Sequence, residues 1–375
     1  MTLVECRTVS SSRQLDDWIA LTDRLYAGTP QFVPPVRQQL RDFHAQKAPY
    51  LRHGDIELLS LVREGAVVAR TTAHTNAKVD AKLAGPHLLF GFTEFVDDDA
   101  VFAALVDALE SRARRLGARR LFGPVNLLPN QSGGVVTSGY DERGFVDSPY
   151  NHPYYPALYE RHGFERRFEG ETFVLQGLDR GGPPVEELFP FDQDRIERER
   201  LEVRHVNRRR MKQELDVVRR LLNASFAQLG YYTEIDADEL AYQVAGLGFL
   251  LDERIALYLF KAGEPIGFVL CIPDISDFVR RVNGNLGPLS QLRLLLTRGR
   301  YRSEAICVIQ GILPAEQGKG YLRLLTRELL RNLRAAGYRT LRGTFIEHGN
   351  VASSAHADRL GRPLHGVTFY VRELA

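Results

Sequence analysis

The stretch "GILPAEQGKGYLRLLTRELLRNLRAAG", from Gly311 to Gly337, decides the fold. In it a short apolar run leads into a loop that contains Gly318 and Gly320, and a helical pattern of leucines begins directly afterwards. Free N–H groups and the helix dipole make such a loop a site for an anion, and Lys319 adds a cation. A plain turn that caps the helix is the alternative, but the strand before it and the helix after it favour anion binding.

The loop does not have the form of either common nucleotide motif. It lacks the Gly-Lys-Ser/Thr ending of a nucleoside triphosphate loop, so ATP hydrolysis is disfavoured. Arg323 stands where the dinucleotide fingerprint has its third glycine, which makes a nicotinamide or flavin oxidoreductase a distant third hypothesis.

Composition limits the other classes of function. The chain has 375 residues and a net charge of +2, which predicts two domains and no general attraction to nucleic acid. No apolar run reaches the roughly 18 residues that a membrane span needs. Three scattered cysteines do not suit a disulfide framework or a zinc site. We therefore expect a cytoplasmic protein without a metal.

An internal repeat divides the chain into two α/β halves. Strand–glycine turn–strand patterns occur at 56–69 and 255–269, and each half then has a leucine-rich helix that ends in glycine. The next segments, 117–123 and 337–343, share Gly, Arg, Leu and Gly at one spacing and predict the returning strand of a βαβ unit. A second helix and a last strand close each half. A Gly/Pro-rich stretch sets the predicted domains at 1–180 and 190–375.

The second half resembles the GNAT acyltransferase superfamily in its strand, Pro, Gln-Gly-Lys-Gly and amphipathic helix. The segments "PQFVPPVRQQL", "GPVNLLPNQSGG" and "PYNHPYYPALYERHGF" extend the resemblance to long bacterial tandem-GNAT proteins, which are mostly probable N-acyltransferases. It implies two tandem GNAT-like domains, each a mixed central sheet flanked by helices. It also implies that acyl-CoA, or the phosphopantetheine thioester of an acyl carrier protein, is the co-substrate. The residues implied to bind it are Ile312, Leu313, Gln317, Gly318, Lys319, Gly320 and Tyr321.

The first half carries three aspartates, 97–99, where the second has its glycine loop. Carboxylates suit a helix N-terminus but repel a pyrophosphate, so this half is predicted to be degenerate for CoA binding. It keeps Tyr159, at the position of the family's frequent general acid, whereas the second half has Ala357 there. We expect one half to hold the donor and the other to shape the acceptor pocket.

Amide and phenol groups of the first half are the predicted acceptor-binding residues. They fall in a segment that is about twenty residues longer than its counterpart in the second half, and loops of that length are often functional. The alternative is a loop ordered by its own Asn turns. The residues are Asn126, Asn130, Tyr150, Asn151 and Tyr154.

The strand that follows the donor helix delivers the candidate catalytic residues Glu347, His348 and Asn350. Either Glu347 or His348 could accept the ammonium proton; the glutamate would need a pKa raised by burial. The resemblance implies that Asn350 binds pantetheine or caps the next helix; the alternative is the N-cap alone. His356 lies on that helix near the missing tyrosine and could serve as an acid, but a surface position is the favoured prediction.

The segment 277–302 mixes leucines with arginines and could cover an acyl chain, bind an acidic carrier protein or contact a membrane surface. A packed helix with a solvated basic face is the alternative. The sequence as a whole predicts an N-acyltransferase that moves a medium or long acyl group to the primary amine of a lipid or peptide. A non-catalytic acyl-CoA-binding or sensor protein is the alternative, because the usual tyrosine is absent.

Overall fold

The structure is a computed structural model that describes residues 3–128, 132–181, 183–245 and 248–374. In the first half the strands β1 to β7 are Glu5–Thr8, Ile56–Arg63, Ala66–His74, His87–Phe95, Arg120–Gly123, Val135–Ser138 and Glu165–Gln176. The helices α1 to α5 are Ser12–Leu25, Arg37–His44, Ala77–Lys82, Asp99–Arg115 and Tyr154–Arg161.

After two short connecting helices, α6 (Val185–Leu188) and α7 (Gln193–Arg198), the second half repeats this order, except that it has two helices in place of α3 and no counterpart of β6. Its strands β8 to β13 are Leu201–His205, Ala256–Lys261, Glu264–Pro273, Glu304–Ile312, Thr340–Glu347 and Arg362–Glu373. Its helices α8 to α13 are Met211–Phe226, Ala237–Val244, Ser276–Arg281, Pro288–Thr297, Tyr321–Ala335 and Val351–Leu360.

The two halves exchange their last strands within one continuous sheet. Its order in the described residues is β1-β2-β3-β4-β5-β13-β7-β12-β11-β10-β9-β8, and β6 pairs with β13 beside this path. The last strand of the first half, β7, is paired with β12 of the second half, while β13 returns to pair with β5 of the first. Each half is therefore completed by a strand of the other.

The repeated elements form because each central helix has one apolar face and a distinct start. Leu105 and Leu109 of α4 are buried against β2 to β5, and Leu325 and Leu329 of α12 are buried in the matching core of the second half. Each helix connects two parallel strands along the chain: α4 connects β4 to β5, and α12 connects β11 to β12. This is the connection that the βαβ pattern predicts.

The predicted fold class is confirmed, and the exchange of β7 and β13 is a feature that the repeat did not predict. The division at 1–180 and 190–375 stays a prediction, because the strand exchange joins the halves across that boundary.

Candidate active site

A glycine loop between β11 and α12 presents free backbone N–H groups. Gly318 and Gly320 have φ angles of 75° and 80°, in the left-handed region, and an added Cβ atom at either position would meet no other atom within 4 Å. The N–H groups of residues 318–322 have no hydrogen-bond partner within the described residues. The loop thus combines open space with unsatisfied donors at a helix N-terminus, which is the arrangement that binds an anion.

Side chains around the loop hold its shape and add positive charge. Gln317 donates its side-chain amide to the carbonyl oxygen of Ile312 at 3.0 Å. Lys319 is folded back onto Glu316 at 3.0 Å, and Lys261 reaches the same carboxylate at 3.1 Å. Arg195 donates to the carbonyl of Lys319 at 2.9 Å. Three cations, Lys261, Lys319 and Arg195, therefore border the loop against the two carboxylates of Glu316 and Glu199, and the helix dipole adds to the small excess of positive charge.

Tyr321 anchors the start of α12 and does not point into the loop. Its ring is 1% exposed and its hydroxyl donates to Glu199. Only its backbone N–H is available to an anion. Ile312 is also buried, and Leu313 packs against the second core, so these two residues border the loop through their backbone.

β11 and β12 separate directly before this loop. They pair in parallel from Glu304 to Cys307 of β11, and Thr344 then donates to the carbonyl oxygen of Val308 at 2.8 Å. Beyond this point β11 stays paired only with β10, with a bulge at Val308, while β12 stays paired with β7. The strands thus open into a cleft whose mouth is the glycine loop.

Glu347 ends β12 beside this cleft. Its side chain is half-buried, and burial raises the pKa of the carboxyl, while the nearby charges of Arg167 and His348 partly oppose the shift. The imidazole of His348 is exposed, and its backbone N–H donates to the carbonyl of Glu169 at 2.9 Å. Of the two predicted proton acceptors, the glutamate therefore has the environment that suits a general base.

Asn350 caps α13 by accepting a hydrogen bond from the N–H of Ser353 at 3.3 Å. The prediction that His356 lies at the surface is wrong. His356 is 9% exposed and bonds to the hydroxyl of Thr326 at 2.8 Å, and burial lowers the pKa of its imidazole to about 4. Ala357 beside it is buried, so no phenol stands at that place.

Tyr231 is a candidate residue that sequence reasoning missed. It lies between α8 and α9, is 9% exposed, and its ring contacts those of Phe168 at 5.1 Å and Phe345 at 6.5 Å. Burial and the charge of Glu347 raise the pKa of the phenol, which keeps it protonated. The two adjacent tyrosines in "GYYTE", Tyr231 and Tyr232, are the sequence signal that could have identified this residue.

The first half contributes directly to this site through the exchanged strand. Phe168 of β7 has a φ angle of 52° and packs against Tyr231, and the guanidinium of Arg167 lies 5.0 Å from the Phe168 ring. The next residues of β7 pair with the end of β12, where Gly170 faces Glu347. The candidate site is therefore built from both halves.

The corresponding cleft of the first half is closed by its own chain. Asp98 accepts hydrogen bonds from the N–H groups of Ala100 and Val101 at the start of α4, and forms an ion pair with Arg63 at 2.6 Å. The side chain of Asn126 accepts from the N–H of Phe92 at 2.8 Å, where a donor cleft would open. The carboxylate of Asp98 thus occupies the position at which the second half has free N–H groups, and loss of CoA binding by the first half stays a prediction.

The predicted acceptor residues bond mainly to backbone. Asn151 is buried and bonds to both backbone groups of Val136, at 2.6 and 3.1 Å. Tyr150 donates to the carbonyl of Tyr140 at 2.9 Å, and Tyr154 donates to that of Phe95 at 2.5 Å. Asn130 lies outside the described residues. Acceptor binding by this group stays a prediction.

Tyr159, at the position of the family's general acid in the first half, is fully buried and stacks on Tyr370 at 4.7 Å. Its hydroxyl has no hydrogen-bond partner in the described chain. The phenol is thus a core residue of the first half.

Comparison with solved structures identifies the fold as that of tandem GNAT proteins. A tandem GNAT protein from the clavulanic acid biosynthesis pathway matches with a TM-score of 0.60 and 14% identity, over 99% of this chain and 98% of that one. A GCN5-related N-acetyltransferase from Sphaerobacter thermophilus matches with a TM-score of 0.56 and 11% identity, over 99% and 95% of the two chains.

Two curated proteins are similar in sequence. Protein YghO of Escherichia coli K12 is 25% identical over 77% of this chain and 73% of its own. A protein named bacterial ceramide synthase, from Caulobacter vibrioides, is 25% identical over 76% of this chain and 74% of its own. No protein-family model matches the chain. Among the described residues, no helix is long and apolar enough to span a bilayer.

Proposed function

We propose that the protein is an N-acyltransferase that binds an acyl thioester in its second half. The observation that carries this proposal is the set of free backbone N–H groups at residues 318–322, at the mouth of the cleft between β11 and β12. Loop and helix start would hold the pyrophosphate of CoA or the phosphate of a carrier-protein phosphopantetheine. The pantetheine arm would lie along the open edge of β11.

The proposed reaction is direct attack of a primary amine on the thioester carbonyl. Glu347 would accept a proton from the acceptor ammonium, and the free amine would form the new C–N bond. The C–S bond would then break, the thiolate would take up a proton from an acid, and the attacking nitrogen would release its second proton to the conjugate base of that acid. Tyr231 is the proposed acid, because its phenol is largely buried, is kept protonated by a raised pKa and lies within the electrostatic influence of Glu347.

A lipid amine is the acceptor class to test first. The name of the Caulobacter relative refers to ceramide, which is an N-acylated sphingoid base, and this supports a sphingoid amine and a long acyl chain as substrates. A peptide amine is the other proposed acceptor. In both cases the product is an amide.

A non-catalytic acyl-CoA sensor is the second candidate. It is favoured by one observation, the buried Ala357 where the superfamily often has its tyrosine. Turnover with any amine would support the enzyme, whereas thioester binding without turnover across a panel of sphingoid and peptide amines would favour the sensor.

The deciding experiment is calorimetric titration with acetyl-, octanoyl- and palmitoyl-CoA and with an acyl carrier protein. Gly320→Glu places an anion in the proposed phosphate site and should abolish binding. Gly65→Glu is the matched control, because Gly65 has a φ angle of 79° and equally open surroundings in a distant hairpin. Equal binding by wild type and the Gly320→Glu variant, or no binding by either, would contradict the proposal.

A further inference from the structure

Helix α11 presents an apolar face to solvent. Leu289, Leu292 and Leu296 are 84%, 53% and 77% exposed, and their spacing of three and four residues places them on one side of the helix. Leu295, at 40% exposure, adjoins them. These four residues are called the leucine face. Exposed leucines are common singly, but a contiguous group marks a surface that binds something apolar.

Unpaired cations border the leucine face. The segment 277–302 contains six arginines and one acidic residue, Asp277. Arg293, Arg298 and Arg300 are exposed and have no ion-pair partner in the described chain. Asp277 faces Arg143 and Arg280 at 3.7 Å and does not neutralise the other arginines. The surface therefore joins aliphatic side chains to an excess of positive charge.

The helix is held firmly, so the exposure of its leucines is not the result of a loose segment. Leu294, on its opposite side, is buried in a cluster with Phe278, Val279 and Val33 of the first half. The N–H of Arg37 donates to the carbonyl of Gly284 at 3.0 Å, just before α11. Burial of Leu294 fixes the helix, and the four residues of the leucine face point to solvent.

We infer that this surface docks on a bilayer that contains anionic lipids. Leucines can enter the boundary between headgroups and acyl chains, while arginines contact lipid phosphates and carboxylates. The pattern combines aliphatic insertion with charge complementarity, and α11, with ten residues, is too short to span a bilayer. The inference concerns location on a membrane and holds whether or not the proposed acyl transfer occurs.

The test is co-sedimentation of the full chain with sucrose-loaded vesicles. Wild type should bind vesicles of phosphatidylcholine with about 30% phosphatidylglycerol, and more weakly as ionic strength rises. The triple variant Leu289→Ser, Leu292→Ser, Leu296→Ser should bind at least about tenfold more weakly, because it loses the inserting side chains. Arg293→Gln, Arg298→Gln, Arg300→Gln should reduce binding to the anionic vesicles to the level seen with pure phosphatidylcholine.

Leu116→Ser is the matched control, because Leu116 is 59% exposed at the end of α4 in the first half, and it should bind like wild type. Direct insertion can be read from Leu296→Trp, whose emission should shift to the blue on vesicle addition. The single native tryptophan, Trp18, is fully buried and gives a constant background.

Three results would overturn the inference. The first is wild-type protein that stays in the supernatant with both kinds of vesicle. The second is a leucine variant that binds as wild type does. The third is a Leu296→Trp emission that responds to an acyl carrier protein or to protein concentration but not to vesicles, which would identify a protein partner or a second copy of the chain as the occupant.

Discussion

Gly320 shows how one residue prepares the candidate site. Its φ angle of 80° is the left-handed conformation that costs other residues roughly 1–2 kcal/mol, and it stands at the N-cap position of α12 without a capping side chain. In the first half the N-cap is Asp98, whose carboxylate satisfies the helix itself. One glycine in place of one aspartate leaves the N–H groups free for a ligand.

Glu347 is the residue whose protonation should control turnover. Burial raises the pKa of its carboxyl above the ordinary 4.5, so the group gains its proton at a higher pH than an exposed glutamate does. If it is the base, the rate should fall as pH drops through that raised pKa. Glu347→Gln should lower kcat by about a hundredfold or more and remove this acidic limb.

The measurement is a pH–rate profile of acyl transfer for wild type, Glu347→Gln and His348→Gln. The exposed His348 is the control and should keep most of the activity. Because the raised pKa means that the charged carboxylate is disfavoured in the folded state, Glu347→Gln should not lower the free energy of unfolding at neutral pH. The reverse pattern, with His348 essential and Glu347 dispensable, would assign the base to the imidazole.

At the scale of elements, the two equivalent strand–loop–helix units, β4–α4 and β11–α12, differ in whether the loop is open to a ligand. In the second half the loop before α12 is open, and β11 separates from β12. In the first half the loop before α4 is capped, and the N–H of Phe92 is taken by Asn126. The closed unit stabilises the fold, and the open unit is available to a ligand.

Asp98→Ala should lower the free energy of unfolding by about 1 kcal/mol, the usual cost of losing an N-cap side chain. Asp97→Ala is the control, since Asp97 is exposed and makes no capping bond within the described chain, and it should change stability little. Chemical denaturation gives both values. Neither variant should alter acyl-CoA affinity, and a change in affinity for Asp98→Ala would mean that the first half also binds the donor.

At the scale of the whole molecule, the strand exchange makes the candidate site a joint product of the two halves. β7 carries Phe168 and Arg167 from the first half to the ring of Tyr231 in the second. In the opposite direction, β13 of the second half pairs with both β5 and β7 of the first half and lies between them. Neither half can complete its share of the sheet alone.

We therefore predict that residues 1–180, expressed alone, do not unfold cooperatively. In that fragment β5 lacks β13, and β7 lacks both of its neighbours, so unpaired strand edges and apolar surface are exposed. Circular dichroism during denaturant titration measures this, with the full chain as control. Co-expression with residues 190–375 should restore a soluble complex. Cooperative unfolding of the isolated fragment would show that the exchanged strand is dispensable.

Local sequence patterns predicted the repeat, the strand–loop–helix order and the loop at 317–320. They succeeded there because glycine positions, helix caps and apolar periodicity act over a few neighbouring residues. They also predicted that the aspartates at 97–99 suit a helix start, which Asp98 does as the N-cap of α4.

Only the tertiary structure shows that the last strands, β7 and β13, are exchanged between the halves. It alone also shows which side chains meet at the cleft between β11 and β12. Strand pairing between β7 and β12 joins residues that are about 170 positions apart, and no local pattern encodes such a partner. For the same reason Tyr231 was missed and His356 was placed at the surface, since burial depends on packing between distant elements. The sequence by itself thus determined the units and their loops, and packing determined how they combine.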